Sequence, residues 1–230
     1  MLVLGIETSN TTLSVALVEG SQILATHDEQ ARNSHSERLM PVIEEIFQKS
    51  GKEIQELDLI AVAQGPGSYT GIRIGVTVAK TLAWTLEKTL VGISSLEVLA
   101  RNLTVPGIIV PLFDARRRTV FSGAYDGMTY ERIIPDGHYE ADDLFKKLKD
   151  HAQNLYFIGL DVDLYWDSLV QAFGPQAKKL EEAAINLPRA SVLAMAAMDQ
   201  EPVQDIHSFV PVYHRIPEAE ANWQQGQEND

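Results

Sequence analysis

Two stretches of this 230-residue chain carry residue types suited to holding an anion. In "GPGSYTG", Gly65 to Gly71, a glycine-rich loop opens straight into a helical pattern. The backbone N–H groups around Gly65 and Gly67 could then face a phosphate at a helix N-terminus. The loop is no P-loop, since no Gly-Lys-Ser/Thr follows, and the dinucleotide pattern GxGxxG would need glycine at position 70. A tight strand-to-helix turn accounts for it equally well. The second stretch, "GIETSNTT" at Gly5 to Thr12, ends a strand in a carboxylate and continues in hydroxyls. Glu7 could sit near a metal-bound phosphate, with Thr8, Ser9, Thr11 and Thr12 as donors. Ser, Thr and Asn are also ordinary turn residues.

Other chemistries are poorly supplied. The chain has no cysteine, so disulfides, thiolate nucleophiles and Cys-ligated metals are excluded together. The histidines are His27, His35, His138, His151, His207 and His214, and no two stand at the spacing of a helical metal pair. Glu44-Glu45, Asp142-Asp143 and Glu181-Glu182 read as solvated faces rather than acid catalysts. "DARRRT", Asp114 to Thr119, is the one basic cluster and reads as a solvated β-turn. A formal net charge of −13 argues against sequence-independent nucleic-acid binding, which Lys and Arg supply. No apolar run approaches the ~20 residues of a membrane span and the N-terminus has no signal-peptide pattern, so a cytoplasmic protein is expected.

The elements that position these residues follow from hydrophobic period. Strands are expected at Leu2 to Ile6, Leu13 to Val18 and Gln22 to Thr26, with Gly20 free to take a positive φ in the second link. A capping-box pattern, Ser34 to Glu37, precedes an amphipathic helix that ends at Gly51, with Pro41 inside it. "LDLIAVAQ" reads as a buried parallel strand before the glycine loop. A long helix to about Leu86, a strand Leu90 to Ile93 and a helix Leu96 to Asn102 complete the order βββαβαβα. "TVPG" at 104–107 marks the expected boundary between a first lobe, 1–103, and a smaller α/β lobe, 104–215. Asp126-Gly127 signals a hairpin, helices are expected near Asp142 to Lys149, Leu164 to Phe173 and Ala190 to Met198, and a strand at Leu155 to Ile158. Residues 216–230 read as an acidic tail.

On a wheel of ~100° per residue, Ile72, Gly75, Val76, Ala79, Leu82, Ala83 and Leu86 form one face of the long helix. Ile74 and Val78 lie on a flank away from it, and Arg73, Thr77, Lys80, Thr81 and Trp84 fill the remaining stripe. The apolar arc is wider than one contact needs, so a second contact is expected. Either the second lobe covers the flank or a partner does, and Trp beside Arg favours the partner.

Taken in order, "LGIETSNTTLSVAL", "NSHSERLMPVIEEIF", "LDLIAVAQGPGSYTGIRIGVTVAKTLAW", "GISSLEVLA", "DARRRTVFSGAY" and "PVYHRIPEAE" resemble the TsaB (YeaZ) family over nearly the whole chain. Residues 128–200 are divergent. The resemblance implies an α/β, two-lobed, actin-like ATPase fold of ribonuclease-H type. It implies a role in making N6-threonylcarbamoyladenosine on tRNAs that read codons beginning with A. It further implies a non-catalytic scaffold that activates the transferase TsaD together with the ATPase TsaE, forms a homodimer when alone, and meets tRNA only through the complex. Its implied partner surface is the first-lobe helix pair: Leu39 and Ile43 on one helix, and Tyr69, Arg73, Ile74, Thr77, Val78, Lys80, Thr81 and Trp84 on the other. Glu7, Thr8, Ser9, Gly65 and Gly67 then become vestigial nucleotide loops, with no cofactor required and ATP bound weakly or at a composite site. "YFIGLDVD", Tyr156 to Asp163, stands as a poor second phosphate loop. The rival functions are an ATPase or small-molecule kinase of the same fold, and a metallopeptidase, which the lack of a His pair disfavours.

Overall fold

The computed structural model describes residues 1–30, 34–151 and 153–215. The chain runs β1 (Leu2–Glu7), β2 (Thr12–Glu19), β3 (Gln22–Gln30), α1 (His35–Ser50), β4 (Leu59–Ala63), α2 (Tyr69–Thr85), β5 (Thr89–Ile93) and α3 (Ser95–Ala100). It continues through β6 (Ile108–Asp114), β7 (Thr119–Asp126), β8 (Arg132–Glu140), α4 (Ala141–Leu148), β9 (Leu155–Ile158), α5 (Trp166–Phe173), β10 (Ala177–Lys179) and α6 (Ala190–Ala197). The expected acidic tail lies outside the described residues.

The strands form two five-stranded mixed sheets, ordered β3-β2-β1-β4-β5 and β8-β7-β6-β9-β10. Each has an antiparallel meander of three strands followed by two parallel ones. One topology is therefore used twice, with β1 to β5 answering to β6 to β10. The repeat leaves no trace in sequence because it lies in strand order, which side chains need not copy.

Both faces of each sheet are covered, which is why β1, β4 and β6 read as continuous apolar runs. Leu2, Leu4 and Ile6 of β1 point to the side of α1 and α2, while Val3 points to Leu193 and Ala194 of α6. In the second sheet Ile108, Val110 and Leu112 face α4 and α5, and Ile109 and Phe113 face Leu96 and Leu99 of α3. The boundary near residue 104 thus separates the strands of the two sheets but not their helices. α3 follows the first sheet in sequence and packs on the second; α6 follows the second and packs on the first. Beyond α6, residues 203–212 return to the first lobe, where Val203 N–H donates to Leu90 O at 2.9 Å and Val212 N–H to Gln64 O at 2.8 Å, and Arg215 then reaches the second, donating to Ala115 O at 2.9 Å.

Local signals mostly resolve as expected, with two differences. Gly20 takes φ 60° in the β2–β3 turn and Gly51 ends α1 at φ 68°. The capping box of α1 does not form: Ser34 makes no side-chain cap bond, and its carbonyl takes the N–H groups of Glu37 and Arg38 instead. Pro41 is tolerated inside α1 because it lies on the exposed face, where the carbonyl it leaves open is near water. In the β7–β8 hairpin the left-handed residue is Tyr130 at φ 60° rather than Gly127, since Asp126 Oδ1 accepts from Met128 and Thr129 and makes a longer loop.

Candidate functional site

The two anion-binding candidates come together, but they close on each other. Glu7, Thr8 and Ser9 have no exposed surface. The glycine loop lies directly over them: Ser68 N–H donates to Ser9 O at 2.7 Å, and the Thr8 hydroxyl donates to Gly71 O at 2.8 Å. A Cβ on Gly67 would lie 2.0 Å from Ser9 O, and one on Gly71 2.2 Å from Thr8 O. Gly65, at φ 107°, is pressed against the carbonyl of Val212 in the returning segment. The glycines therefore serve close backbone approach. α2 begins with a side-chain cap, Ser68 Oγ accepting from Gly71 N–H at 3.3 Å.

This closure leaves a cost behind. Ser9 N–H donates to Glu7 Oε1 at 2.6 Å, while Glu7 Oε2, Ser9 Oγ and Thr12 Oγ1 are buried with no hydrogen-bond partner among the described residues. Burial pushes the Glu7 carboxyl up to about 7, which its contacts with Ser9 only partly offset. The residues expected to cradle a nucleotide thus do not fit one as they stand, for the turn offers no opening at the surface.

The repeat relocates the second loop. The counterpart of the β1–β2 turn is the β6–β7 turn, "DARRRT", and not "YFIGLDVD", which follows β9 as the glycine loop follows β4. The polar groups of "YFIGLDVD" are engaged within the protein. Gly159 N–H donates to Asn186 Oδ1 at 2.9 Å, and Asp161 Oδ2 accepts from Asp114 N–H at 2.9 Å. Burial, with Asp114 alongside, raises the Asp161 carboxyl above its ordinary range. In the β6–β7 turn Arg116, Arg117 and Arg118 take φ of 65°, 52° and 60°. Each non-glycine residue in that region costs about 1 kcal/mol or more. The ion pair Arg118–Asp142, at 3.5 Å with both side chains largely exposed, returns less than about 1 kcal/mol.

The stripe on α2 faces solvent, and the chain itself lies along part of it. Tyr69, Arg73, Thr77, Thr81 and Trp84 are exposed, Trp84 at 63%. Residues 203–213 run alongside them. Lys80 Nζ donates to the carbonyls of His207 and Phe209 at 2.9 and 2.6 Å. Arg73 lies 4.0 Å over the Tyr69 ring and donates through Nε to the Tyr213 hydroxyl at 2.7 Å, and Trp84 meets His207 edge-on. Ile74 and Val78 are half-buried on the edge of the first-lobe core, so the flank is not covered by the second lobe. Leu39 and Ile43 belong elsewhere: at 1% and 2% exposure they face the sheet, and α1 shows solvent Met40, Pro41 and Glu44 instead. Helical spacing identified them as apolar but not which side the sheet would take.

Sequence reasoning missed the returning segment, whose signal was apolar residues at Val203, Ile206, Phe209 and Val212 without the length of a helix or strand. It also missed a polar lock between the lobes. Asp136 of β8, with 6% of its side chain exposed, accepts from the Tyr125 hydroxyl and from Ser94 Oγ, the latter at 2.5 Å, and faces Arg132 at 3.5 Å. Ser94 also caps α3 by accepting from the N–H groups of Leu96 and Glu97. Burial and the Asp136 charge push the Tyr125 phenol up, so it stays a donor.

A cleft of about 640 Å³ opens between the lobes, bounded by Pro66, Gly67, Tyr69 and Ile72, by Asp114 to Arg117 with Phe121, and by Val212 to Arg215. Among the described residues no group of three or more His, Asp or Glu stands together as metal ligands, and no helix is long and apolar enough to cross a membrane.

Comparison with known proteins supplies the family. The profile described as tRNA N6-adenosine threonylcarbamoyltransferase (TsaD) matches residues 22–223. The tRNA threonylcarbamoyladenosine biosynthesis protein TsaB of Bacillus subtilis is 39% identical over 231 aligned positions, covering 99% of this chain and 100% of that one. A Pseudomonas aeruginosa crystal structure, described as an uncharacterized protein with similarity to peptidase YEAZ, superposes with TM-score 0.78 at 25% identity, over 93% of this chain and 99% of the other. The ethanolamine utilization protein EutJ of Carboxydothermus hydrogenoformans shares the fold alone, with TM-score 0.55 at 11% identity over 85% and 90%. The fold is the expected two-lobed α/β architecture, which EutJ shares. With that architecture and a match across the full length of both chains, this chain belongs to the TsaB (YeaZ) family of tRNA threonylcarbamoyladenosine biosynthesis proteins.

Proposed function

We propose that this chain is a non-catalytic scaffold and activator in the formation of N6-threonylcarbamoyladenosine on tRNAs reading codons that begin with A. In this reading it works in the cytoplasm with a TsaD-type transferase and a TsaE-type ATPase, pairs with itself when alone, and meets tRNA through the assembly. It requires no cofactor of its own, ATP entering at a site completed by the partners. The observation that carries the reading is the α2 stripe. Exposed Tyr69, Arg73, Thr77, Thr81 and Trp84 run down one helix, and large aromatic and arginine side chains of this kind anchor protein interfaces. The closed Glu7 turn supports the non-catalytic part, since its carboxylate cannot reach a substrate from there.

The test is reconstitution with tRNA, ATP, threonine, bicarbonate, the adenylate-forming synthase, TsaD and TsaE, omitting this chain, with the modified nucleoside scored by mass. We expect modification to require it and the chain alone to show no transferase or ATPase turnover. Thr81→Arg and Trp84→Ala, both at exposed positions, are expected to remove partner binding while leaving the melting temperature near that of the parent. Modification undiminished without the chain, or ATP turnover by the chain alone, would return the ATPase or kinase reading to the front.

A further inference from the structure

The returning segment continues the α2 stripe with exposed apolar side chains of its own. Val210 is 63% exposed and Tyr213 39%, beside Tyr69 at 40% and Trp84 at 63%. The Tyr213 and Tyr69 rings stand 5.1 Å apart and His207 meets Trp84 edge-on at 5.7 Å, so the segment flanks the stripe at both ends. Neither element contributes a carboxylate to this surface. The chain has 32 acidic residues, yet none falls in the 17 residues of α2 and none in 206–213, so a chain of net charge −13 shows here only cations.

Those cations are held by neutral oxygens. Lys80 Nζ donates to the carbonyls of His207 and Phe209, and Arg73 donates through Nε to the Tyr213 hydroxyl at 2.7 Å while lying 4.0 Å over the Tyr69 ring. Arg73 is thereby fixed between two rings that leave its charge uncancelled, and the hydroxyl takes the Nε donor rather than the terminal fork that matches a carboxylate. An arginine ordered in advance among aromatic rings has little freedom left to lose on docking, which is what an interface anchor needs. We infer that the docking surface is composite, residues 206–213 forming its second half beside α2, and that its occupant is a helix of the transferase partner whose apolar residues are flanked by carboxylates. Charge complementarity selects that occupant, because a carboxylate-bearing helix gains most where this acidic chain supplies cations and no acid. A second copy docked through the same face would set cations against cations, so self-pairing is the weaker of the two. The inference rests on the partner reading of α2 and extends it to the returning segment.

Binding of the full-length chain to the TsaD-type transferase is measured by calorimetry, and self-pairing by sedimentation of the chain alone. Val210→Asp and Tyr213→Ala, both at exposed positions, are expected to weaken transferase binding at least about tenfold with melting temperatures near that of the parent. Leu164→Asp, 69% exposed on the second lobe, is expected to leave it unchanged. Tyr213→Phe keeps the ring and loses only the hold on Arg73, so its loss of about threefold should vanish in an Arg73→Ala background. Parent affinity should fall as salt rises, and fall more gently in Arg73→Ala. A loss with Trp84→Ala but not with Val210→Asp or Tyr213→Ala would overturn the inference and leave the α2 reading standing. Unchanged binding in all three, or no binding by the parent, would remove both. Loss of self-pairing with the transferase still bound would assign the segment to a second copy and overturn the inference, as would binding indifferent to salt.

Discussion

Glu7 is a carboxylate with no exposed surface and one oxygen unpartnered among the described residues. Its folded value of about 7 lies above the ordinary 4.5, so between those values the folded chain keeps a proton that the unfolded chain releases. The sign follows: this group favours the fold at low pH, and that contribution is lost as pH rises through 7. Glu7→Gln keeps the oxygen that accepts from Ser9 N–H and removes the charge. It is expected to stabilise the chain by on the order of 1–3 kcal/mol at pH 8, with a smaller gain at pH 5. Urea unfolding at the two values checks this; equal gains would sink it. The sequence announced a carboxylate at a strand end, and so a chemical role was the natural reading. Whether the carboxylate faced water was decided by α2 lying across it.

At the scale of elements, α2 is held against the β1–β2 turn by its small residues rather than by its propensity. Alanine is a better helix former than glycine by about 1 kcal/mol. A Cβ at Gly71 would nevertheless meet the backbone oxygen of Thr8 at 2.2 Å, and one at Gly75 would meet Thr8 Oγ1 at 2.3 Å. Gly71→Ala is therefore expected to lower stability by about 2–4 kcal/mol, measured by denaturant unfolding, since neither the buried turn nor the helix can yield. A neutral or stabilising result would mean that α2 can move off the turn. The core-facing side of α2 was legible from its period, with Leu82 and Leu86 half-buried at its edge, and so was its solvent stripe except for Lys80, which the returning segment half-covers. Its partly apolar flank was legible only as a surplus, because a helix records how much it buries and not against what.

For the whole molecule, the lobes are joined by exchanged helices and by the lock at Asp136. Asp136→Ala would leave the Tyr125 hydroxyl and Ser94 Oγ without their acceptor, and Arg132 with Glu97 alone. Leaving two buried hydroxyls unsatisfied costs about 1–3 kcal/mol each. We expect a loss of that size in thermal unfolding, with Asp136→Asn milder because its oxygen still accepts. A loss below about 1 kcal/mol would show that the exchanged helices alone fix the lobes. None of these partners was legible in sequence, for Ser94, Tyr125 and Asp136 belong to three strand ends or interiors of two different sheets.

By itself the sequence determined most of the strands and helices and the family, because hydrophobic period, turn residues and ordered motifs are local properties; the three-residue β10 was too short to leave such a signal. Tertiary structure alone decided that the topology is repeated, that α3 and α6 cross between the sheets, that the glycine loop shuts the Glu7 turn, and that residues 203–213 line the α2 stripe. Each of these depends on which buried surface meets which. Apolar residues are interchangeable in that respect, since the hydrophobic effect rewards burial without naming the partner.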